Sequence, residues 1–149
     1  MNFRPGSKHR LLWDTWFYDH NGEYYLYYLS NPVDDDGNRQ RWDAFSLATS
    51  RDFLHWEEKG EVFTKSSDPS DWDSDMITTG DIIKYQNRYF MSYRATTERI
   101  EKNNIIVSDD LLNWRRVSQT PVLETAPPYE FDPKRTINNY VEMRDVTMT

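Results

Sequence analysis

The chain has 149 residues, enough for one domain or part of a larger one, and its net charge of −7, with no Lys/Arg cluster, argues against nucleic acid or an anionic membrane as partner. Cysteine is absent, which removes disulfides, thiolate metal ligands and thiol nucleophiles, and no run approaches the roughly 18 apolar residues of a membrane span. Apolar residues make up only 37%, but six Trp and ten Tyr bury much area per residue, so a core is available.

The first ten residues, MNFRPGSKHR, carry no apolar stretch of the kind that heads an export signal, which favours a cytoplasmic location. Residues 11–30, LLWDTWFYDHNGEYYLYYLS, read as an apolar run, a polar turn and an aromatic-rich alternating run. Asn21-Gly22 is a hairpin signal, because a type I′ turn needs positive φ at both central positions. A polar loop follows at 31–42, NPVDDDGNRQRW, then the β-prone FSLATS at 45–50, the turn SRDFLHW at 50–56 and the run WEEKGEVF at 56–63.

The pattern then repeats. TGDIIKYQNRYFMSYRA at 79–95 has the same run, turn and aromatic run, NIIVSD at 104–109 follows, and SDDLLNW at 108–114 repeats the Ser-x-Asp turn before WRRVSQTPVL. The Trp anchors, Trp56 and Trp114, are 58 apart, whereas Tyr28 and Tyr93 are 65 apart, so the first copy carries seven extra residues in its 31–42 loop. Each Asp of the turn, Asp52 and Asp110, can accept backbone N–H groups and nucleate it, with the Trp packing between units.

Four β-type runs per unit at a period near sixty predict an all-β chain of β-propeller blades, each a four-stranded antiparallel sheet. The expected divisions are an N-terminal arm at 1–12, blade one at 13–63, a connecting loop at 64–76, blade two at 77–123, a second loop at 124–141 and the first strand of a third blade at 142–149. Asp14, Asp81 and Asp145 each precede a β-prone run and are spaced 67 and 64 apart, which predicts equivalent places at the mouths of the innermost strands. A closed propeller needs at least about four blades. The chain is therefore expected to be a fragment of a longer protein, to complete the ring with another copy or another chain, or to form a smaller sheet assembly, and the first avoids unpaired sheet edges most simply.

These residues resemble the N-terminal part of five-bladed β-propeller glycoside hydrolases of families 32 and 68, with family 43 related. LLWDTWFYDHNGEYYLYYL is similar to the first-blade segment that bears a catalytic Asp. FSLATSRDFLHWEEKG is similar to the segment ending in Ser-x-Asp-Leu-x-His-Trp, and EMRDVTM at 142–148 is similar to the Arg-Asp-Pro motif. The resemblance implies Asp14 as nucleophile (a general base in the family 43 pattern), Asp145 as transition-state stabiliser and Arg144 as a substrate-orienting arginine. It implies a carbohydrate substrate such as sucrose, a fructan or an arabinan, and no cofactor or metal. Val146 and Thr15 stand where the family 32 motifs usually have proline, and the general acid of the family would lie past Thr149, so the resemblance implies that this chain alone is inactive.

The chemistry is consistent: glycoside cleavage uses two carboxyl groups in different protonation states across the scissile bond. Trp13, Trp16 and Trp42 offer flat apolar platforms for sugar faces, although packing is the commoner use of Trp16 and Trp42. Asp81 is either structural or substrate-lining. DWDSD at 71–75 is read as a solvated loop, since its spacing lacks the glycine and glutamate of a calcium-binding loop. Two other classes of function remain, a non-catalytic carbohydrate-binding propeller and a protein-interaction module.

Overall fold

Asn21 and Gly22 adopt φ of 54° and 78°, and Gln86 and Asn87 adopt 46° and 63°, so each unit of the chain opens with a tight hairpin of left-handed turn residues. The structure, a computed structural model, describes residues 3–4, 10–97 and 100–123. Within them the chain is all β, as the repeat predicts. A first antiparallel sheet has the order β1 (Arg10–His20), β2 (Glu23–Pro32), β3 (Ala44–Ser50), β4 (Glu57–Thr64). A second repeats that order with β5 (Met76–Tyr85), β6 (Arg88–Thr97), β7 (Ile100–Ser108) and β8 (Arg115–Arg116). The chain divides into two compact units, residues 1–64 and 65–149. The expected connecting loop at 124–141 and third-blade strand at 142–149 lie outside the described residues.

β1 begins at Arg10 rather than at Trp13. Arg10 is held there because its guanidinium donates to Ser30 Oγ and pairs with Asp43 and with Glu61, the latter at 2.9 Å.

Alternation along β2 sends Leu26 and Tyr28 to one face of the first sheet, where they pack with Ala48, Leu12, Trp56 and Phe3. The other face gathers Tyr27, Phe45, Phe63 and Trp16; Trp16 stacks on Tyr27 at 6.2 Å and meets Phe45 edge-on at 5.0 Å. In the second sheet Ile77, Met91, Tyr93, Ala95 and Ile106 are fully buried. Each such ring or large aliphatic side chain, Ala95 aside, contributes about 1.5–3 kcal/mol of transfer free energy.

The two Ser-x-Asp turns share one geometry. Ser50 Oγ accepts the N–H of Asp52 and Phe53, Asp52 Oδ1 accepts those of Leu54 and His55, and Trp56 Nε1 donates to Phe53 O. Ser108, Asp110 and Trp114 repeat every one of these bonds. Phe53 and Leu111 are both forced to positive φ, 60° and 65°. Trp56 packs on Phe3 and against its own sheet.

Candidate active site

Asp14 sits on a β-bulge. Leu12 lies opposite Ser30 and Thr15 opposite Tyr28, so Trp13 and Asp14 together span Leu29 and one residue is extra. The bulge turns the strand locally and leaves the Asp14 side chain exposed. Among the described residues Asp14 has no hydrogen-bond or ion-pair partner.

Trp13, its neighbour, is fixed from several directions. Its Nε1 donates to Asn31 Oδ1, Trp42 approaches it edge-on at 5.8 Å, and the Arg39 guanidinium carbon lies 5.3 Å from its ring centre. Asn31 is buried, and its amide also donates to Gln40 O at 2.7 Å, which ties the loop after β2 to the same cluster. That loop is folded by its own bonds. Asp34 Oδ1 accepts the N–H of Asp36 and Asn38, Gly37 N–H reaches Asp34 O, and Gly37 takes a φ of 83° that a side chain would strain. Trp16 lies in the aromatic packing described above, and its Nε1 is buried without a hydrogen-bond partner among the described residues.

Asp81 is half-buried in the second unit. Its N–H donates to Ser92 Oγ and its Oδ1 accepts the Ile82 N–H at 2.9 Å. The expected equivalence of Asp14 and Asp81 does not hold. β5 also carries a one-residue bulge, but Thr78 pairs with Arg94 and Gly80 with Tyr93, so the extra residue is Thr79. Thr79 takes the place of Asp14, and Asp81 lies two positions further on, at the place of Trp16. Sequence reasoning missed Thr79 because it aligned Asp with Asp; aligning Tyr28 with Tyr93 finds it.

The DWDSD segment is likewise not simply a solvated loop. Asp73 is buried, its Oδ2 accepting the Tyr93 hydroxyl at 2.9 Å and both Nε and Nη2 of Arg116 at 2.7 and 2.6 Å. Burial and the Asp73 charge push the Tyr93 hydroxyl well above the usual tyrosine range. In the first unit Tyr28 donates instead to Glu58 at 2.9 Å, and burial together with that carboxylate raises its pKa too. A cavity of about 460 Å³ lies at this polar cluster, lined by Arg10, Ser30, Ser46, Glu58 and Glu61 among others, and includes none of the expected site residues. Among the described residues no three His, Asp or Glu side chains are grouped to hold a metal. Arg144 and Asp145 lie outside the described residues.

Two four-stranded antiparallel sheets in series are a fold that solved glycoside hydrolases share. A solved glycoside hydrolase superposes with a TM-score of 0.63 at 12% identity, covering 80% of this chain and 40% of its own. A family 43 β-xylosidase/α-arabinofuranosidase from a compost metagenome, in complex with xylotriose, gives a TM-score of 0.62 at 15% identity, covering 80% of this chain and 38% of its own. Within that class, the chain belongs to glycosyl hydrolases family 32, whose N-terminal domain model matches residues 14–144. A sucrose-6-phosphate hydrolase of Bacillus subtilis (strain 168) is 30% identical over 99 residues, 61% of this chain and 18% of the relative. The chain thus spans about two fifths of those solved structures and less than a fifth of that relative.

Proposed function

We propose that this chain supplies the nucleophile-bearing side of a family 32 site that cleaves or transfers furanosyl units of sucrose-, fructan- or arabinan-like saccharides. The carrying observation is Asp14: an exposed carboxylate on a bulge, unengaged by any other described residue, at the first position of the family match.

In this reading the Asp14 carboxylate attacks the anomeric carbon as the glycosidic bond breaks, through an oxocarbenium-like transition state. A carboxylic acid about 5 Å across the bond protonates the departing oxygen, and water later releases the sugar from Asp14. Asp145 would stabilise the developing positive charge and Arg144 would hold sugar hydroxyls. The acid is assigned to no residue of this chain. A five-bladed ring, completed by further chain or by self-association, would bring it there. Trp13, Trp42 and Asp81 would line the substrate.

The test is incubation of this chain and of Asp14→Asn with sucrose, inulin and an aryl arabinofuranoside whose good leaving group needs no protonation. The expected result is cleavage of the activated aryl furanoside with a glycosyl adduct on Asp14 detected by mass spectrometry, lost in Asp14→Asn, and little action on sucrose or inulin. Aryl furanoside cleavage that survives Asp14→Asn refutes the assignment.

A further inference from the structure

The first unit differs from the second mainly in what joins its middle strands. Ser30 pairs with Ala44, whereas the equivalent Ala95 pairs with Lys102, so the loop after β2 is longer by the seven residues noted in the sequence. Several contacts hold this loop in one shape. The Asp34 turn closes its tip, Val33 bridges Arg39, Gln40 N–H donates to Pro32 O, and buried Asn31 grips both Gln40 and Trp13. What the loop delivers is Arg39, laid over the ring of Trp13, the residue next to Asp14.

A guanidinium held over an aromatic face by its charge keeps N–H groups available to bind a planar or tetrahedral anion by two parallel hydrogen bonds. Arg39 forms no ion pair with a described residue, although the loop is rich in aspartate. Asp43 is taken by Arg10, and Asp34 by the backbone N–H groups of its own turn. An exposed, oriented and uncompensated arginine is unusual on a chain of net charge −7, which as a whole repels anions.

We propose that Arg39 is a specificity-determining residue that binds an anionic substituent, a phosphoryl or carboxylate group, on the saccharide bound at Asp14, and that the long β2–β3 loop serves to hold it there. The proposal rests on the assignment of the saccharide site to Asp14.

The experiment titrates this chain with sucrose, sucrose 6-phosphate, a uronate-containing disaccharide and inorganic phosphate, read by tryptophan emission, since Arg39 lies on Trp13. The expected result is that one or both anionic saccharides bind at least about tenfold tighter than sucrose, the span of one charge-assisted bidentate contact. The arm that does so identifies the anion. Arg39→Gln should compress that ratio to near unity, and Arg39→Lys, which keeps the charge without the fork, should leave it intermediate. Circular dichroism of both variants checks the fold. Sucrose binding with no preference for the anionic sugars, a ratio unchanged in Arg39→Gln, or inorganic phosphate binding as tightly as the sugar phosphate each overturns the role of Arg39 and leaves Asp14 standing. Failure to bind any saccharide overturns both.

Discussion

Trp16 and Asp81 occupy the same register position of the two sheets: Trp16 lies opposite Tyr27, Asp81 lies opposite Ser92, and each sits just past the bulge of its edge strand. The same alignment sets Gly80 at the place of Thr15. A Cβ on Gly80 would stand 2.1 Å from the Ser92 carbonyl oxygen, a backbone atom that cannot swing away. Gly80→Ala is therefore expected to cost about 2 kcal/mol or more in urea unfolding, the scale of an overpacked site. Asp81→Asn, which keeps an acceptor for the Ile82 N–H, should cost under about 1 kcal/mol.

Asp73 and Arg116 form an ion pair whose acid is buried and whose base is one-fifth exposed, at 22%. Asp73→Ala removes the carboxylate from both the Arg116 guanidinium and the Tyr93 hydroxyl, leaving them only their contact with each other. The expected loss is about 3 kcal/mol, the low end for breaking a buried pair because Arg116 keeps some water. Tyr93→Phe should cost about 1 kcal/mol. An Asp73→Ala midpoint indistinguishable from wild type would contradict this account.

Asp110 gives the chain an acid-sensitive turn. Burial opposes its ionisation, but the Asn113 backbone and side chain, the Leu112 N–H and Ser108 outweigh it and bring the carboxyl down to about 2. A folded-state pKa below the unfolded value of about 4 stabilises the chain above that value, and this stability drains away as pH falls from about 4 to 2. Asp52, lowered first by its hydrogen bond to His55, titrates in the same direction. Thermal midpoints measured between pH 5 and 2 should fall less steeply in Asp110→Asn than in wild type.

Phe53 and Leu111 share the strained φ of the two turns but not their burial, at 51% and 1% exposed. Leu111→Ala should cost about 2–4 kcal/mol as a core cavity. Phe53→Ala loses stacking on Tyr24 and should cost clearly less, about 1 kcal/mol. Equal losses in denaturant melts would show that the turn backbone, rather than the packing, sets both values.

The elements were legible because they rest on local chemistry. The Asn21-Gly22 hairpin, the alternation of β2 and the paired Ser-x-Asp turns are each specified within about ten residues. Register was harder to read. A single bulged residue, Asp14 in one strand and Thr79 in the other, moves every later position by one, and the spacing of aspartates hid it. Asp73 looked solvated because its partner Arg116 is 43 residues away, beyond any window of pattern reasoning. The Arg39–Trp13 contact was invisible for a related reason: the loop fold that creates it depends on Asn31, whose polar side chain is spent inside.

The tyrosine clusters of the two units are matched in place and opposite in charge. Tyr28 meets Glu58 with Arg10 near it, and Tyr93 meets Arg116 with Asp73 behind it. Two units this alike invite the exchange of their outer strands while the chain is still collapsing. If β8 docked on the first sheet, Arg116 would arrive beside Arg10; if β4 docked on the second, Glu58 would arrive beside Asp73. Either mistake would set like charges together beside a buried tyrosine, which disfavours the exchange.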